Sequence, residues 1–170
     1  MLQEDFFKRE VLEVAPDLLG KTLVRRVGSR VTRLVVTEVE AYDGESDKAC
    51  HASRGRTKRT EVMYGPAGHW YIYLVYGMHH MLNITTGSRG YPSAVLFRSG
   101  LDVKGPGRLT RALELDISLN AKKASSANGL WLEGGFEVPF EEIERLPRIG
   151  VDYAKEWAEK PYRFVWKSKR

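Results

Sequence analysis

The chain of 170 residues holds one cysteine, Cys50, so it has no internal disulfide, and a reducing compartment is permitted. No apolar run approaches the roughly 20 residues of a transmembrane helix, which removes a membrane-spanning reading. The opening "MLQEDFFKRE" carries acidic residues where a secretory signal needs a basic and then an apolar stretch, so no leader is expected. There are no internal repeats and no low-complexity linkers, and the length is most simply that of one domain over residues 1–170. A metal is not expected: His51, His69, His79 and His80 form no H-x-x-x-H, His79 and His80 point to opposite faces of a strand, and Cys50 has no partner. The G-x-S-x-G elbow and the phosphate-binding G-x-x-x-x-G-K are absent too. Cys50 neighbours His51, but adjacent residues rarely face each other and a buried thiol is usually inert.

Acidic charge is in deficit, with a formal net charge of +5. The imbalance concentrates in "SRGRTKRT", where Arg54, Arg56, Lys58 and Arg59 fall within eight residues without an acid among them. Such a run is either a solvated loop or a phosphate-contacting one, in which each neutralised phosphate releases a counterion. Along the chain, residues 5–19 suit short helices interrupted at Pro16 and closed by Gly20. Strands are expected at 21–27, 31–42, 93–99, 129–133 and 162–166, with a hairpin formed by 69–76 and 79–86. Residues 43–68 are loop-rich, "GPGRLTRALEL" opens a helix, and 151–160 is expected to be a short one. Strands in meander order with few helices between them predict an α+β fold around an antiparallel sheet.

Two stretches carry chemistry. In "TEVEAY", Glu38 and Glu40 are two apart on a strand and share one face, about 6.5–7 Å apart. The valines around them supply an apolar wall able to raise a carboxyl pKa toward general-base duty. Arg98, ending "AVLFR", is the candidate counter-ion. In "YIYLVYGMHHMLNITT", the odd spacing of Tyr73 and Tyr76 sends them to opposite faces of one strand, while Gly77 marks a turn with a tyrosine at its tip. A strand carboxylate, several tyrosines, a basic loop and an aromatic tip suit an enzyme that extracts a base from a duplex and activates a water. Residue types alone leave two other readings open: a damaged-DNA-binding module without catalysis, and a carbohydrate hydrolase using Glu38 and Glu40 as a pair.

"TEVEAYDGESDKACHASRGRT", "YIYLVYGMHHMLNITT", "AVLFR", "GPGRLTRALEL" and "RIGVDYAKEWAEKPYRF" resemble, in order and spacing, the alkyladenine (3-methyladenine or methylpurine) DNA glycosylase family, from about Val11 to Phe164. The resemblance implies a single mixed α/β domain with a curved antiparallel sheet and a protruding hairpin. It implies excision of alkylated and deaminated purines, such as 3-methyladenine, hypoxanthine and ethenoadenine, from double-stranded DNA in base excision repair, without metal or cofactor. It casts Glu40 as general base for water and Arg98 as holder of the water and a nearby phosphate. Tyr42, His51 and Tyr73 would enclose the flipped base, Asn83 would crowd the 2-amino group of guanine, and Leu96 would be an apolar pocket residue. The carbonyl of Ile149 would be a further water ligand and Tyr76 the wedge inserted into the duplex. Arg54, Arg56, Lys58, Arg59 and Arg108 are expected on the DNA backbone. The basic loop reads Thr57-Lys58-Arg59-Thr60 where the family commonly has T-P-R-N, so proline stiffness and an asparagine amide are lost. The expected protein is a monomer, in the cytoplasm with the nucleoid in a bacterium and in the nucleus in a eukaryote.

Overall fold

Alternation of side chains along the strands decides the architecture, because successive residues of a strand point to opposite faces. The computed structural model describes residues 1–169. Its strands are β1 (Thr22–Val27), β2 (Arg30–Asp43), β3 (Trp70–Val75), β4 (His79–Thr85), β5 (Ser93–Gly100), β6 (Leu130–Glu133), β7 (Ile143–Leu146) and β8 (Arg163–Trp166). They form one antiparallel sheet with the path β3-β4-β5-β2-β1-β6, while β8 pairs with both β2 and β7. The long β2 joins the two halves, pairing with β1 through Val35 and with β5 from Val36 onward, with register shifts on either side of Glu38. The fold is α+β.

One face of the sheet is the core. Val39 and Ala41 of β2, Val95 and Phe97 of β5, Trp70 and Ile72 of β3, and Leu82 and Ile84 of β4 belong to one apolar cluster. Helices α2 (Val11–Asp17) and α3 (Pro106–Ala112) cover that face and contribute Val11, Val14 and Leu109 to it. The intervening residues of the same strands face the other way. They align in a row across five strands: Tyr71 opposite Asn83, Asn83 opposite Leu96, Leu96 opposite Glu40, and Glu40 opposite Arg163. The apolar set thus consolidates the fold and leaves the opposite row free for chemistry.

Several local expectations are corrected. Pro16 does not interrupt a helix. It lies inside α2, which ends one residue later, while the break falls earlier, between α1 (Glu4–Phe7) and α2. Burial of Val11, Val14 and Ala15 holds this short helix despite the missing donor. The segment 151–160 is a 3₁₀ turn, Asp152–Trp157, broken by Lys155 at φ 54°, and not a regular helix. Strand β7 has no counterpart in the expected elements; its four residues alternate too briefly to stand out, and pairing with β8 supplies the order.

A buried ion pair ties the loop after β2 to the segment after β7. The Arg148 and Asp47 side chains have no solvent exposure, with Nη1 2.5 Å from Oδ2 and Nη2 2.8 Å from Oδ1. Arg148 also donates to the carbonyls of Ala41 (2.8 Å) and Trp157 (3.2 Å), while Asp47 accepts the amides of Asp43 and Ala49. Removing one partner of such a pair strands a buried charge. Asp47→Ala is expected to lower unfolding stability by about 3–5 kcal/mol in urea titration. Asp17→Ala, at a half-exposed pair with Arg9, should change it by less than about 1 kcal/mol. Equal effects of the two would refute the structural weight given to the buried pair.

Candidate active site

The face of the sheet opposite the core borders a cavity of about 450 Å³, within the roughly 300–1,000 Å³ range of small-molecule sites. Its walls include Tyr42 from β2, Leu96 and Arg98 from β5, Tyr73 and Asn83 from the β3–β4 hairpin, and His51 from the 3₁₀ turn His51–Arg54. The backbone segment Ile149-Gly150-Val151 and Tyr76 complete the rim.

Glu40 sits directly behind this wall with no solvent exposure. The Tyr42 hydroxyl donates to Oε2 (2.9 Å), the Ile149 amide donates to Oε1 (2.9 Å), and Arg98 Nη1 lies 3.2 Å from Oε1. Burial raises the Glu40 pKa above the ordinary 4.5, and the Arg98 charge, the Ile149 amide and the Tyr42 hydroxyl oppose that rise without cancelling it. Oε1 therefore has two protein donors and Oε2 one, which leaves an acceptor position on the Tyr42 side of the carboxylate.

Glu38 shares the Arg98 guanidinium but not the environment. Its Oε1 accepts from Arg98 Nε (3.2 Å) and Arg163 Nη1 (3.1 Å), and its Oε2 accepts from Ser99 Oγ (2.7 Å). Ser99 Oγ in turn accepts the Gly105 amide at the start of α3 (3.2 Å). The Arg98 guanidinium bridges the two carboxylates, 3.2 Å from each. Glu38 is an anchor for Arg98.

The aromatic side of the cavity is layered. His51 Nδ1 lies 2.9 Å from the Tyr71 hydroxyl, and the His51 ring meets Tyr73 edge-on at 4.6 Å between centroids. Arg148 stacks on Tyr42 with its guanidinium carbon 4.8 Å from the ring centre. Leu96 is buried, and buried Asn83 donates its side-chain NH₂ to the carbonyls of Tyr71 (3.0 Å) and Met81 (3.3 Å). Ile149 engages Glu40 through its amide, where the resemblance implied a role for its carbonyl.

A model of the methylpurine-DNA glycosylase family matches this chain over residues 5–104 and 101–170. A protein of Methanocella arvoryzae is 44% identical, covering 99% of this chain and 93% of its own length. Proteins of Myxococcus xanthus and Legionella pneumophila are 47% and 45% identical, over 97% and 98% of this chain and 89% and 94% of their own. All three carry the provisional name 3-methyladenine DNA glycosylase. The chain belongs to the methylpurine-DNA glycosylase family.

The hairpin tip and the basic loop of this family member flank the cavity. Tyr76 is 88% exposed and sits at φ 52°, followed by Gly77 at φ 68°, so both central residues of the turn are left-handed, as in a type I′ turn. Such a φ is unusual for a bulky residue. In the basic loop, Arg56 is paired with Glu61 (2.6 and 2.8 Å), an acid just past the run of cations. Arg59 is exposed and lies over an aromatic ring on the cavity wall, its guanidinium carbon 4.8 Å from the Tyr73 ring centre. Arg54, Lys58 and Arg108 are exposed. Tyr71, Arg148, Asp47 and Arg163 were missed as site residues. Tyr71 was within reach of the strand parity that links it to Tyr73, whereas the Arg148–Asp47 pair spans 101 positions with no local signal. Among the described residues no cluster of three His, Cys, Asp or Glu side chains could hold a metal ion, and no helix is long and apolar enough to cross a membrane.

The Tyr42 hydroxyl bonds the ionised form of Glu40, so its removal favours protonation. Tyr42→Phe is expected to raise the Glu40 pKa further, read from the pH titration of its side-chain carboxyl ¹³C signal. A midpoint that stays put or falls would refute the hydrogen bond's influence on the charge.

Proposed function

We propose that this protein is a monofunctional DNA glycosylase acting as a monomer in base excision repair. It extrudes alkylated or deaminated purines of the 3-methyladenine, hypoxanthine and ethenoadenine class from double-stranded DNA and hydrolyses the N-glycosidic bond. The observation that carries the reading is the buried Glu40 carboxylate, with a raised pKa, fixed by three donors behind an aromatic cavity. Family membership and the names of the relatives support the substrate class.

The chemistry follows from charge. As the bond from C1′ to the purine nitrogen lengthens, positive charge grows on the sugar, as in glycoside hydrolysis. The Glu40 carboxylate stabilises that charge and takes a proton from the attacking water at the acceptor position left on Oε2. The purine departs with the bonding electrons; a cationic lesion leaves directly, and a neutral one leaves after protonation. Arg98, held by Glu38 and exposed toward the cavity, keeps Glu40 oriented and offers positive charge to a neighbouring phosphate. Tyr42 and Tyr73 supply stacking faces for the extruded base. Arg54, Lys58 and Arg108 approach the DNA backbone.

Two experiments test the reading. Glu40→Gln keeps the shape and loses the base, so single-turnover excision of hypoxanthine from a duplex should fall by about 10²–10⁴ while lesion-DNA binding persists. In the unmodified protein the base must be ionised. Its raised pKa therefore places the acid limb of the rate profile above the 4.5 of an ordinary glutamate, and the variant should lack that limb. An excision rate unaffected by Glu40→Gln would end the proposal, and binding without base release by the unmodified protein would favour a damaged-DNA-binding module.

Tyr76 should matter in proportion to the difficulty of opening the duplex, because an inserted side chain fills the gap left by the extruded nucleotide. Tyr76→Ser is expected to impair excision of a well-paired lesion more than excision of the same lesion in a mismatch or bulge. Equal losses on both, accompanied by a large drop in melting temperature, would make Tyr76 a structural residue instead.

A further inference from the structure

Asp47 and Arg148 are the most deeply buried ion pair among the described residues, and no step of the proposed reaction uses them. Stability does not account for their presence. Desolvation offsets the attraction of buried charges, so an apolar pair of similar volume serves a core as well. Their bonds point instead toward the glutamates. On one side of Arg148, the Pro147 carbonyl accepts from Arg163 Nε (2.8 Å), and that arginine also donates through Nη1 to Glu38 (3.1 Å). On the other side, the Ile149 amide donates to Glu40 Oε1 (2.9 Å). The segment lies outside any strand, Ile149 is half-exposed, and Gly150 follows at φ 78°. A loop amide of that kind keeps one direction only where its neighbours are fixed. Arg148 is the fixed neighbour. Its guanidinium donates to both Asp47 oxygens and to the Ala41 and Trp157 carbonyls. Its carbon also lies 4.8 Å from the Tyr42 ring centre and 5.2 Å from that of Tyr162. Asp47 secures the far end by accepting the amides of Asp43 and Ala49.

We propose that Asp47 and Arg148 are positioning residues of the active site, which hold the Ile149 amide against Glu40 Oε1 and the Tyr42 hydroxyl within reach of Oε2. The proposal rests on the glycosylase reading above, in which Glu40 takes a proton from the attacking water. Arg148 reaches Glu40 by two routes, through the peptide link to Ile149 and through the Tyr42 ring on which it lies. Two of the three donors to the carboxylate therefore depend on one guanidinium. If the pair opens, Glu40 loses donors that favour its ionised form, and its pKa rises further. Charge alone predicts the reverse. The charged groups acting on Glu40 are Arg98, Glu38 and Arg148, with the phenols of Tyr42 and Tyr73 beside it. Neutralising Asp47 would leave the Arg148 charge unopposed and stabilise the Glu40 anion, which lowers its pKa. The sign of the change thus separates positioning from plain electrostatics.

The test begins with the unmodified protein. Hydrogen exchange in ¹⁵N-labelled protein should show the Ile149 amide as protected as those of the core strands, despite its place in a loop. Fast exchange there overturns the proposal. Asp47→Asn keeps the shape and should raise the Glu40 midpoint, read from its carboxyl ¹³C signal, by about one pH unit, the worth of one charged hydrogen bond. A midpoint that stays put or falls overturns the proposal. Val14→Ala opens a cavity in the core beneath α2, away from the loop, and should leave the midpoint in place. A comparable rise in that variant makes the effect one of general stability and also overturns the proposal. Should Asp47→Asn fail to fold, Arg148→Lys keeps the charge but loses the fork and the ring stacking, and it faces the same two outcomes. In excision assays the acid limb of the rate profile should move up with the midpoint while lesion-DNA binding persists. A limb that stays while the midpoint moves removes the pair from the reaction. Failure of the unmodified protein to release any purine, with Ile149 protected and the midpoint raised in the variant, defeats the glycosylase reading and leaves the positioning of Glu40 supported.

Discussion

A carboxylate with no access to water has to be compensated by the protein, and the surroundings of Glu40 are organised by that demand. Isolated burial of a charge is costly enough to neutralise the group, so the ionised form survives only with donors held against it. The donors come from three separate places: Arg98 one strand away, Tyr42 two residues along, and the backbone amide of Ile149, 109 positions distant. The last is the most demanding, because a loop amide has no strand to fix it. Arg148, the residue before, supplies the fixture by bonding Asp47, Ala41 and Trp157 while lying flat on Tyr42. One buried ion pair thus steadies a donor and an aromatic wall of the same site. Since desolvation outweighs the donors, Glu40 is more basic than an exposed glutamate, in keeping with the general-base role proposed for it.

Much of this was legible in the sequence because strand alternation carries two messages at once. The residues at 39, 41, 95 and 97 spell the core, and those at 40, 42, 94, 96 and 98 spell the cavity face. The spacing of Glu38 and Glu40 correctly put both on one side, where they meet the same arginine. It could not say that one would be sealed and the other clamped, since depth depends on what packs above the sheet. Pro16 misled because a propensity rule was applied where burial overrides it. Segment 151–160 misled because its helical spacing ignores the left-handed kink at Lys155. Lys155 has no sequence mark of its own.

The basic loop shows how a charge count differs from a charge distribution. Four cations in eight residues read as a uniform surface for phosphates, but an acid just beyond the run pairs with Arg56, and Arg59 is diverted onto an aromatic ring. All four remain exposed, as does Arg108 of α3, but only Arg54 and Lys58 of the loop have no such tether. Beside it stands a hairpin whose apex holds a tyrosine in an uncommon backbone conformation. Such local strain persists where the surrounding pairing over-determines it. Here the β3–β4 ladder does so up to the residue before the turn.

The lone thiol has a chemical consequence of its own. Cys50 is buried beside the cavity, and burial pushes its pKa up to about 12. At neutral pH only on the order of one molecule in 10⁵ holds it as thiolate, the form that reacts with electrophiles. The reagents that methylate purines are electrophiles of that kind. Cys50 is thus a poor target for them at neutral pH, while the thioether sulfurs of Met63 and Met81 line the same cavity.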